Sequence, residues 1–441
     1  MQFDTHFTVK KLLSAAFPLI VMMIFTSLYS VADGLFLSNF AGKEAFAAVN
    51  FIMPYLMFFP STGFLFGSGG SALIAKRLGE KRDREADEIF TTLLGVSALT
   101  GLVLAILGLI FLRPVAELQG AEGALLQNSL LYGRIYLLGT PASVVQFEFE
   151  SLYPASGKNK LGLWATVASG GLNIVLDAIF LGVFSWGIRG AAVATILSQW
   201  LGGLLPFFYY RSRRNTSLLH LVRCRPRIRE MGRVCTNGAS EMVNNISNSV
   251  VSLLYNVQLL RLAGDDGIAA YGVMMYINFL FTAVFWGYVS GAAPIVSYHY
   301  GAGNHRELKS LLRQSLLLLS SGSLLMFLLS VLLARPVSSI FVGYDPVLFQ
   351  MTIRGFRLFS LSFLFAGLSI FGSSFFTALN NGLISAILSF SRVFLFQVPA
   401  VLLLPRFFEL DGIWLSAAVA EFFTALMGGI FILAKRKKYH Y

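Results

Sequence analysis

Two aspartates interrupt long apolar segments in the first half of the chain. Asp33 lies in the segment centred around residue 25, and Asp177 lies in the segment centred around residue 172. A carboxylate in the hydrocarbon region of a bilayer costs several kcal/mol unless it is protonated, paired or facing water, so intramembrane acids are functional candidates by default. These two aspartates are therefore the first residues of this chain to which we assign chemistry.

Three further oxygen-bearing side chains accompany the aspartates. Asn173 precedes Asp177 by four residues and Tyr29 precedes Asp33 by four, so each pair shares one helical face. A rise of about 1.5 Å per residue places Asp33, Asp177 and Thr195 at similar depths in the outer half of their spans. Two carboxylates in a low-dielectric site can carry a proton. The oxygens of Asp33, Asn173, Asp177 and Thr195 could instead ligate Na⁺, and the sequence leaves both ions open.

Structural roles are the alternative for each of these residues. Asp33 and Asp177 could be helix-end residues held by interfacial water. Asn173 and Thr195 could form bonds between helices, and Tyr29 could be an interfacial aromatic residue.

Other polar residues lie in apolar surroundings but have no obvious common site. They are Glu148, Glu150, Glu241, Arg392 and Glu421. An arginine in a span needs a carboxylate partner, and Glu241 is a candidate partner for Arg392. We expect a structural ion pair there, with substrate binding as the second interpretation.

The elements that position these residues are membrane spans. The chain has 441 residues, of which 13 % are charged, and a mean hydropathy of +0.70, whereas soluble proteins carry about 25 % charged residues. About twelve apolar runs of roughly 20 residues recur along it, each long enough to cross a bilayer. The sequence therefore predicts an all-α polytopic membrane protein with twelve transmembrane helices.

Charge and motif content set the topology and exclude other classes of protein. The basic stretches all fall on one side of a twelve-span topology, so the positive-inside rule places both termini in the cytoplasm. The net charge is +12, but the basic runs lack the interleaved aromatic residues that stack on bases, so we expect no nucleic-acid partner. Since no nucleophile–base pair, metal-ligand spacing or phosphate loop occurs, we expect neither an enzyme nor a cofactor.

An internal repeat predicts two equivalent halves. Residues 40–42 (Phe-Ala-Gly) return as residues 262–264 (Leu-Ala-Gly), and at the same offset Arg113-Pro114 returns as Arg335-Pro336. The separation between Gly42 and Gly264 is called the repeat offset below. An even number of spans per half relates the halves by a pseudo-twofold axis along the membrane normal. We predict a six-helix bundle over residues 1–210, a basic cytoplasmic linker over 211–233, and a second six-helix bundle over 234–441.

The two copies disagree at the acids. At the repeat offset, Asp33 falls opposite Tyr255, and Asp177 falls opposite Pro399. We therefore predict that ion coupling belongs to the first half and that the second half forms the opposing wall of a substrate cavity.

Several stretches resemble the multidrug and toxic compound extrusion (MATE) family. They are residues 187–195 (Gly-Ile-Arg-Gly-Ala-Ala-Val-Ala-Thr), residues 132–139 (Tyr-Gly-Arg-Ile-Tyr-Leu-Leu-Gly), residues 173–177 (Asn-Ile-Val-Leu-Asp), and residues 31–33 (Val-Ala-Asp) with Pro18 upstream. The resemblance implies two six-helix bundles that export drugs in exchange for H⁺ or Na⁺. It matches Asp33 to the acid of the first span, and Asn173, Asp177 and Thr195 to its partners. It also matches Pro18 to a proline at which the first helix bends. Residues 154–157 (Pro-Ala-Ser-Gly) depart from the Arg-Ala-x-Gly usual at the end of span four.

These observations together predict a secondary active antiporter of the cytoplasmic membrane. It would export drugs or other lipophilic, often cationic compounds in exchange for H⁺ or Na⁺. The alternative is a flippase for a lipid-linked precursor or another amphiphile, although Arg392 alone offers little to hold a pyrophosphate. We expect small-molecule substrates and membrane lipids as partners, and a monomer, since nothing in the sequence indicates an oligomer.

Overall fold

The computed structural model describes residues 4–441, apart from the side chains of Val31, Lys43, Ser249 and Asp265. Within this part of the chain the regular structure consists of fourteen α-helices and three short π-helices, with no strand. Helices are the expected outcome because a segment in lipid must satisfy its backbone N–H and C=O groups internally.

Seven α-helices and two π-helices form the first half of the chain. They are α1 (Val9–Phe36), the π-helix Leu37–Ala41, α2 (Lys43–Gly79), α3 (Asp83–Leu118), α4 (Gly123–Leu138), α5 (Thr140–Ala155), α6 (Asn159–Asp177), the π-helix Ala178–Val183 and α7 (Gly187–Arg211).

The second half of the chain repeats this pattern. It contains α8 (Ile228–Gly301), α9 (His305–Val342), α10 (Pro346–Ser360), α11 (Phe363–Ala378), α12 (Gly382–Phe390), the π-helix Ser391–Gln397, α13 (Val398–Leu403) and α14 (Pro405–Tyr439).

The helices account for the predicted membrane spans. Within the described residues, nine helices are long and apolar enough to cross a bilayer, and α10 with α11 forms a further candidate span bent by 43°. The short helices α4 and α5 follow each other directly at Gly139, and the first part of α8 is another long helix, so each segment predicted from the apolar runs is helical. The protein is an all-α polytopic membrane protein.

The repeat is visible in the backbone at two glycines. Gly42 precedes α2 with φ +89°, and Gly264 interrupts α8 with φ +61°. These are the two residues that define the repeat offset, and at both the left-handed φ is one that glycine adopts without the steric cost of a Cβ atom. Each half therefore breaks its first long helix at the same residue of the repeat.

The chain folds into two compact units whose boundaries lie inside helices. Residues 21–242 belong to one unit, and residues 4–20 with 243–441 belong to the other. The boundary after Ile20 in α1 and the boundary after Met242 in α8 are separated by the repeat offset. Pro18 lies inside α1, close to the first boundary. The helix bend at Pro18 and the domain limits drawn from composition stay predictions.

The linker between the halves is held against α3 of the first unit by hydrogen bonds and an ion pair. Backbone N–H groups of His220 and Val222 donate to Asp87 Oδ1 (2.8 Å) and Thr91 Oγ1 (3.1 Å), respectively. Arg227 Nε lies 2.7 Å from Glu88 Oε2. The side chains of α3 thus satisfy backbone donors that an extended linker would otherwise leave to water.

Candidate ion-coupling site

Asp33 and Asp177 occupy matching places at the ends of two helices. Asp33 lies in the last turn of α1, and Asp177 is the final residue of α6. A π-helix begins close behind each of them, at Leu37 and at Ala178. π-Helical turns are uncommon and often occur at functional sites.

The structure brings the two carboxyl groups together in the first unit. The Asp177 side chain is fully buried, with 0 % of the residue exposed. The half-buried Asp33 carboxyl lies beside it, within hydrogen-bonding reach. Neither oxygen of Asp177 has a hydrogen-bond donor among the described residues. A hydrogen bond between the two carboxyl groups therefore requires a proton on one of them.

The other predicted site residues surround this pair on three helices. Asn173 is buried one turn before Asp177 on α6. Thr195 on α7 donates its hydroxyl to the Ala191 carbonyl at 2.9 Å, which leaves the lone pairs of its oxygen available as acceptors. Tyr29 lies one turn before Asp33 and packs its ring against Gly170 of α6, where an added Cβ would lie 2.9 Å from Tyr29 Cδ1.

Two tyrosines of α4 also belong to this site, although they were not among the residues predicted from the sequence. Tyr132 and Tyr136 are almost fully buried, and their rings stack with centroids 6.0 Å apart. Tyr132 interacts with Thr195, and both tyrosines are close enough to Asp33 to sense its charge. Their spacing of four residues, which places both on one helical face, was the signal that could have found them.

Gln199 is a third residue of this site that was not among those predicted from the sequence. It lies one turn after Thr195 on α7 and interacts with the Tyr136 hydroxyl. Its side chain packs against Gly139, where an added Cβ would lie 2.4 Å from Gln199 Oε1. The site therefore joins α1, α4, α6 and α7 through carboxyl, hydroxyl and amide groups.

The two glutamates of α5 lie in different surroundings. Glu148 is fully buried, and neither of its carboxyl oxygens has a hydrogen-bond donor among the described residues. Ser97 of α3 lies close by but donates to the Leu94 carbonyl. Glu150 is also buried, and it lies near enough to Tyr29 to interact with it electrostatically.

Arg392 has a carboxylate partner, and the structure corrects which one it is. The guanidinium of Arg392 donates from Nε (3.0 Å) and Nη2 (2.5 Å) to Glu421 Oε1. Glu241 was the candidate for this position on the sequence alone. Glu421 fits because it lies on α14, which packs directly against the π-helix that carries Arg392.

A polytopic membrane protein built from two structural repeats has an organisation that is common among transporters. The MatE family model matches residues 18–179 and again residues 242–403. The two matches together cover most of the chain, so the protein belongs to the MatE family.

Curated multidrug export proteins are similar to this chain over nearly its whole length. The chain is 21 % identical over 437 residues to the multidrug export protein MepA of Staphylococcus haemolyticus, covering 99 % of this chain and 96 % of that protein. It is 20 % identical over 432 residues to MepA of Staphylococcus aureus strain MRSA252, covering 97 % and 94 %.

The fold matches solved MATE transporters. A crystal structure of MATE in complex with MaL6 superposes with a TM-score of 0.93 at 22 % identity, covering 99 % of this chain and 98 % of that one. A multidrug resistance MATE family transporter of the MOP superfamily in an outward-facing conformation gives a TM-score of 0.90 at 22 % identity, with the same coverage.

Proposed function

We propose that this protein is an antiporter that exports lipophilic, often cationic compounds in exchange for protons. The observation that carries the proposal is the buried pair of carboxyl groups, in which Asp177 has no hydrogen-bond donor among the described residues and lies beside Asp33. A buried carboxylate without a donor is costly, and one shared proton removes that cost.

Protonation is the simplest way to connect this site to a conformational change. A proton taken up by the Asp33–Asp177 pair lowers the cost of burying the two acids, and its release restores that cost. A ligand shifts an equilibrium between two states only by its difference in affinity for them. A shift from 1:99 to 99:1 requires about 5.5 kcal/mol, which is within the range that the desolvation of buried carboxylates can supply.

The substrate class is inferred from the relatives and from composition. MepA is named as a multidrug export protein in both staphylococcal relatives. The chain contains 41 phenylalanines, and aromatic faces attract lipophilic cations. We place the protein in the cytoplasmic membrane with both termini in the cytoplasm, because the exposed arginines of the linker and the basic C-terminus fall on the same side of the topology.

The flippase alternative depended on Arg392 as a cation for a pyrophosphate group. Glu421 already neutralises that guanidinium. A free cationic surface for a lipid-linked pyrophosphate is therefore not supported by Arg392, and we retain export as the proposed function.

The experiment uses the full-length protein in proteoliposomes loaded with a fluorescent lipophilic cation. An imposed proton gradient should drive transport of the dye, and dye movement should be accompanied by a counterflow of protons, with no requirement for Na⁺. Asp33→Asn and Asp177→Asn should abolish the gradient-driven component. Glu117→Gln, which alters an exposed acid paired with Arg113, is the matched control and should transport normally. Full gradient-driven transport by Asp33→Asn would refute the coupling role, and strict dependence on Na⁺ would replace H⁺ as the coupling ion.

A further inference from the structure

An ion pair of the second unit occupies positions that correspond, through the repeat offset, to residues of the coupling site. Counting back by the repeat offset, Tyr255 corresponds to Asp33 and Glu421 corresponds to Gln199. Arg392 corresponds to Gly170, the glycine against which Tyr29 packs. At these three positions the first unit has one acid, Asp33, and no cationic side chain, whereas the second unit has the acid Glu421 and the cation Arg392.

The geometry of the second-unit pair is that of a neutralised buried charge. The Arg392 side chain is 19 % exposed and the Glu421 side chain 10 % exposed, and Nη2 lies 2.5 Å from Oε1. Both donating nitrogens of Arg392 converge on Oε1. The other oxygen, Oε2, is buried and has no hydrogen-bond donor among the described residues. Glu421 therefore depends on Arg392 for its charge compensation.

Among the described residues, Arg392 is the one cationic side chain that forms an ion pair with Glu421. Tyr255 of α8 senses the Glu421 charge, but its hydroxyl is engaged 2.7 Å from Ser416 Oγ, and its ring stacks on Tyr271 with centroids 4.8 Å apart. An ion pair also joins α10 to α14, between Arg354 of α10 and Asp411 of α14. Asp411 lies ten residues before Glu421, almost three helical turns away.

We propose that Arg392 is a tethered cation that permanently fills, in the second unit, the counterpart of the coupling site. The first unit then binds an exchangeable cation, and the second carries its positive charge in the covalent structure. It follows that removal of the Arg392 charge turns Glu421 into a second site for a proton or Na⁺. The comparison with the coupling site rests on the proposed function, whereas cation binding at Glu421 does not.

The physical reason is that an intramembrane carboxylate requires compensation from some positive charge. Removing one member of a buried ion pair leaves the other charge uncompensated, which is strongly unfavourable. A mobile cation that binds the folded state stabilises it by mass action. Stability that depends on the cation is therefore the direct readout of a newly opened site.

The test follows thermal unfolding of the purified full-length protein across pH and NaCl titrations, with choline chloride to keep ionic strength constant. All variants carry Asp33→Asn and Asp177→Asn, so that the first-unit site contributes nothing. The unfolding midpoint of the Arg392→Gln variant in this background should rise by about 3 °C or more on acidification or on addition of Na⁺. Arg392→Gln with Glu421→Gln should lose this response. Arg392→Lys, which keeps the tethered charge, should behave like the background.

Arg354→Gln is the matched control, because it removes an arginine from an exposed ion pair with a residue of the same helix α14. It should gain no response to protons or Na⁺. The proposal is wrong if Arg392→Gln shows no added response, or if the response persists after Glu421→Gln. It is also overturned if Arg392→Gln cannot be recovered at any pH or Na⁺ concentration while Arg392→Lys can, since the pair is then purely structural. Retention of transport by Asp33→Asn would refute the proposed function and leave this stability result standing.

Discussion

Gly69 of α2 and Gly238 of α8 bring two helices of the first unit into direct backbone contact. A Cβ atom added to Gly238 would lie 1.8 Å from the Leu65 carbonyl oxygen. One added to Gly69 would lie 2.0 Å from the Val234 carbonyl oxygen. Small residues at helix crossings allow the close approach on which packing between helices in a bilayer depends.

Gly238→Ala should destabilise the protein, because the atoms in the way belong to the backbone and cannot move aside as a side chain can. We expect a loss of about 1–3 kcal/mol, the usual cost of overpacking, seen as a lower unfolding midpoint in detergent. Gly232→Ala is the control on the same helix, since nothing lies within 4 Å of its added Cβ. Equal midpoints for the two variants would contradict a close crossing at Gly238.

Gly170→Ala should impair ion-coupled transport. The added Cβ would lie 2.8 Å from Phe25 Cε1 and 2.9 Å from Tyr29 Cδ1, so the Tyr29 ring must shift from its place near Asp33. A displacement of about 1 Å in a site of this kind can cost a hundredfold in rate, and we expect at least a several-fold fall in gradient-driven transport. The neighbouring Gly171→Ala, with nothing within 4 Å, should transport normally. A normal rate for both would remove Tyr29 from the site.

Two buried glutamates should respond oppositely to the same substitution. Glu148→Gln should be neutral or stabilising, because it replaces a carboxyl group that has no donor among the described residues with an uncharged amide of similar shape. Glu421→Gln should cost about 3–5 kcal/mol, because it leaves the Arg392 guanidinium without its counter-charge. Unfolding midpoints compared at one pH decide between these outcomes, and a larger loss for Glu148→Gln would contradict both assignments.

Glu307→Ala should release the start of the chain from the second unit. The Glu307 carboxyl accepts from the backbone N–H of Phe7 at 2.8 Å and lies 2.7 Å from the ring of His6. Hydrogen bonds to charged groups contribute about 1.5–3 kcal/mol each. We expect faster hydrogen exchange across residues 4–12, measured by mass spectrometry. Ser310→Ala, which removes one nearby hydroxyl contact of Gln314, should leave exchange in this segment unchanged. Equal exchange rates in the two variants would show that Glu307 does not hold this segment.

The spans and their repetition could be predicted from the sequence because the bilayer allows few solutions for an apolar segment. The proximity of Asp33 and Asp177 could also be predicted, because the rise per residue of an α-helix sets how far along its span each aspartate lies. Three residues of the site were not predicted from the sequence: Tyr132, Tyr136 and Gln199. Tyrosines and polar amides in membrane spans have several ordinary roles in packing and at interfaces, so their presence alone does not indicate a site.

The partner of Arg392 could not be deduced, because depth and charge allowed more than one glutamate, and only the packing of α14 beside the π-helix selects Glu421. The unit boundaries within α1 and α8 were equally hidden, because neither composition nor periodicity changes where a continuous helix passes from one unit to the next.

Those boundaries also bear on how such a chain could have arisen. Residues 4–20 complete the unit formed by residues 243–441, and residues 228–242, after the linker, complete the unit formed by the first half. Two copies of one ancestral bundle that traded their leading segments would give this reciprocal arrangement, as in domain-swapped dimers. A protease cut in the linker would consequently give no fragment that contains a whole unit. The first half expressed alone would lack residues 228–242, and the second half expressed alone would lack residues 4–20.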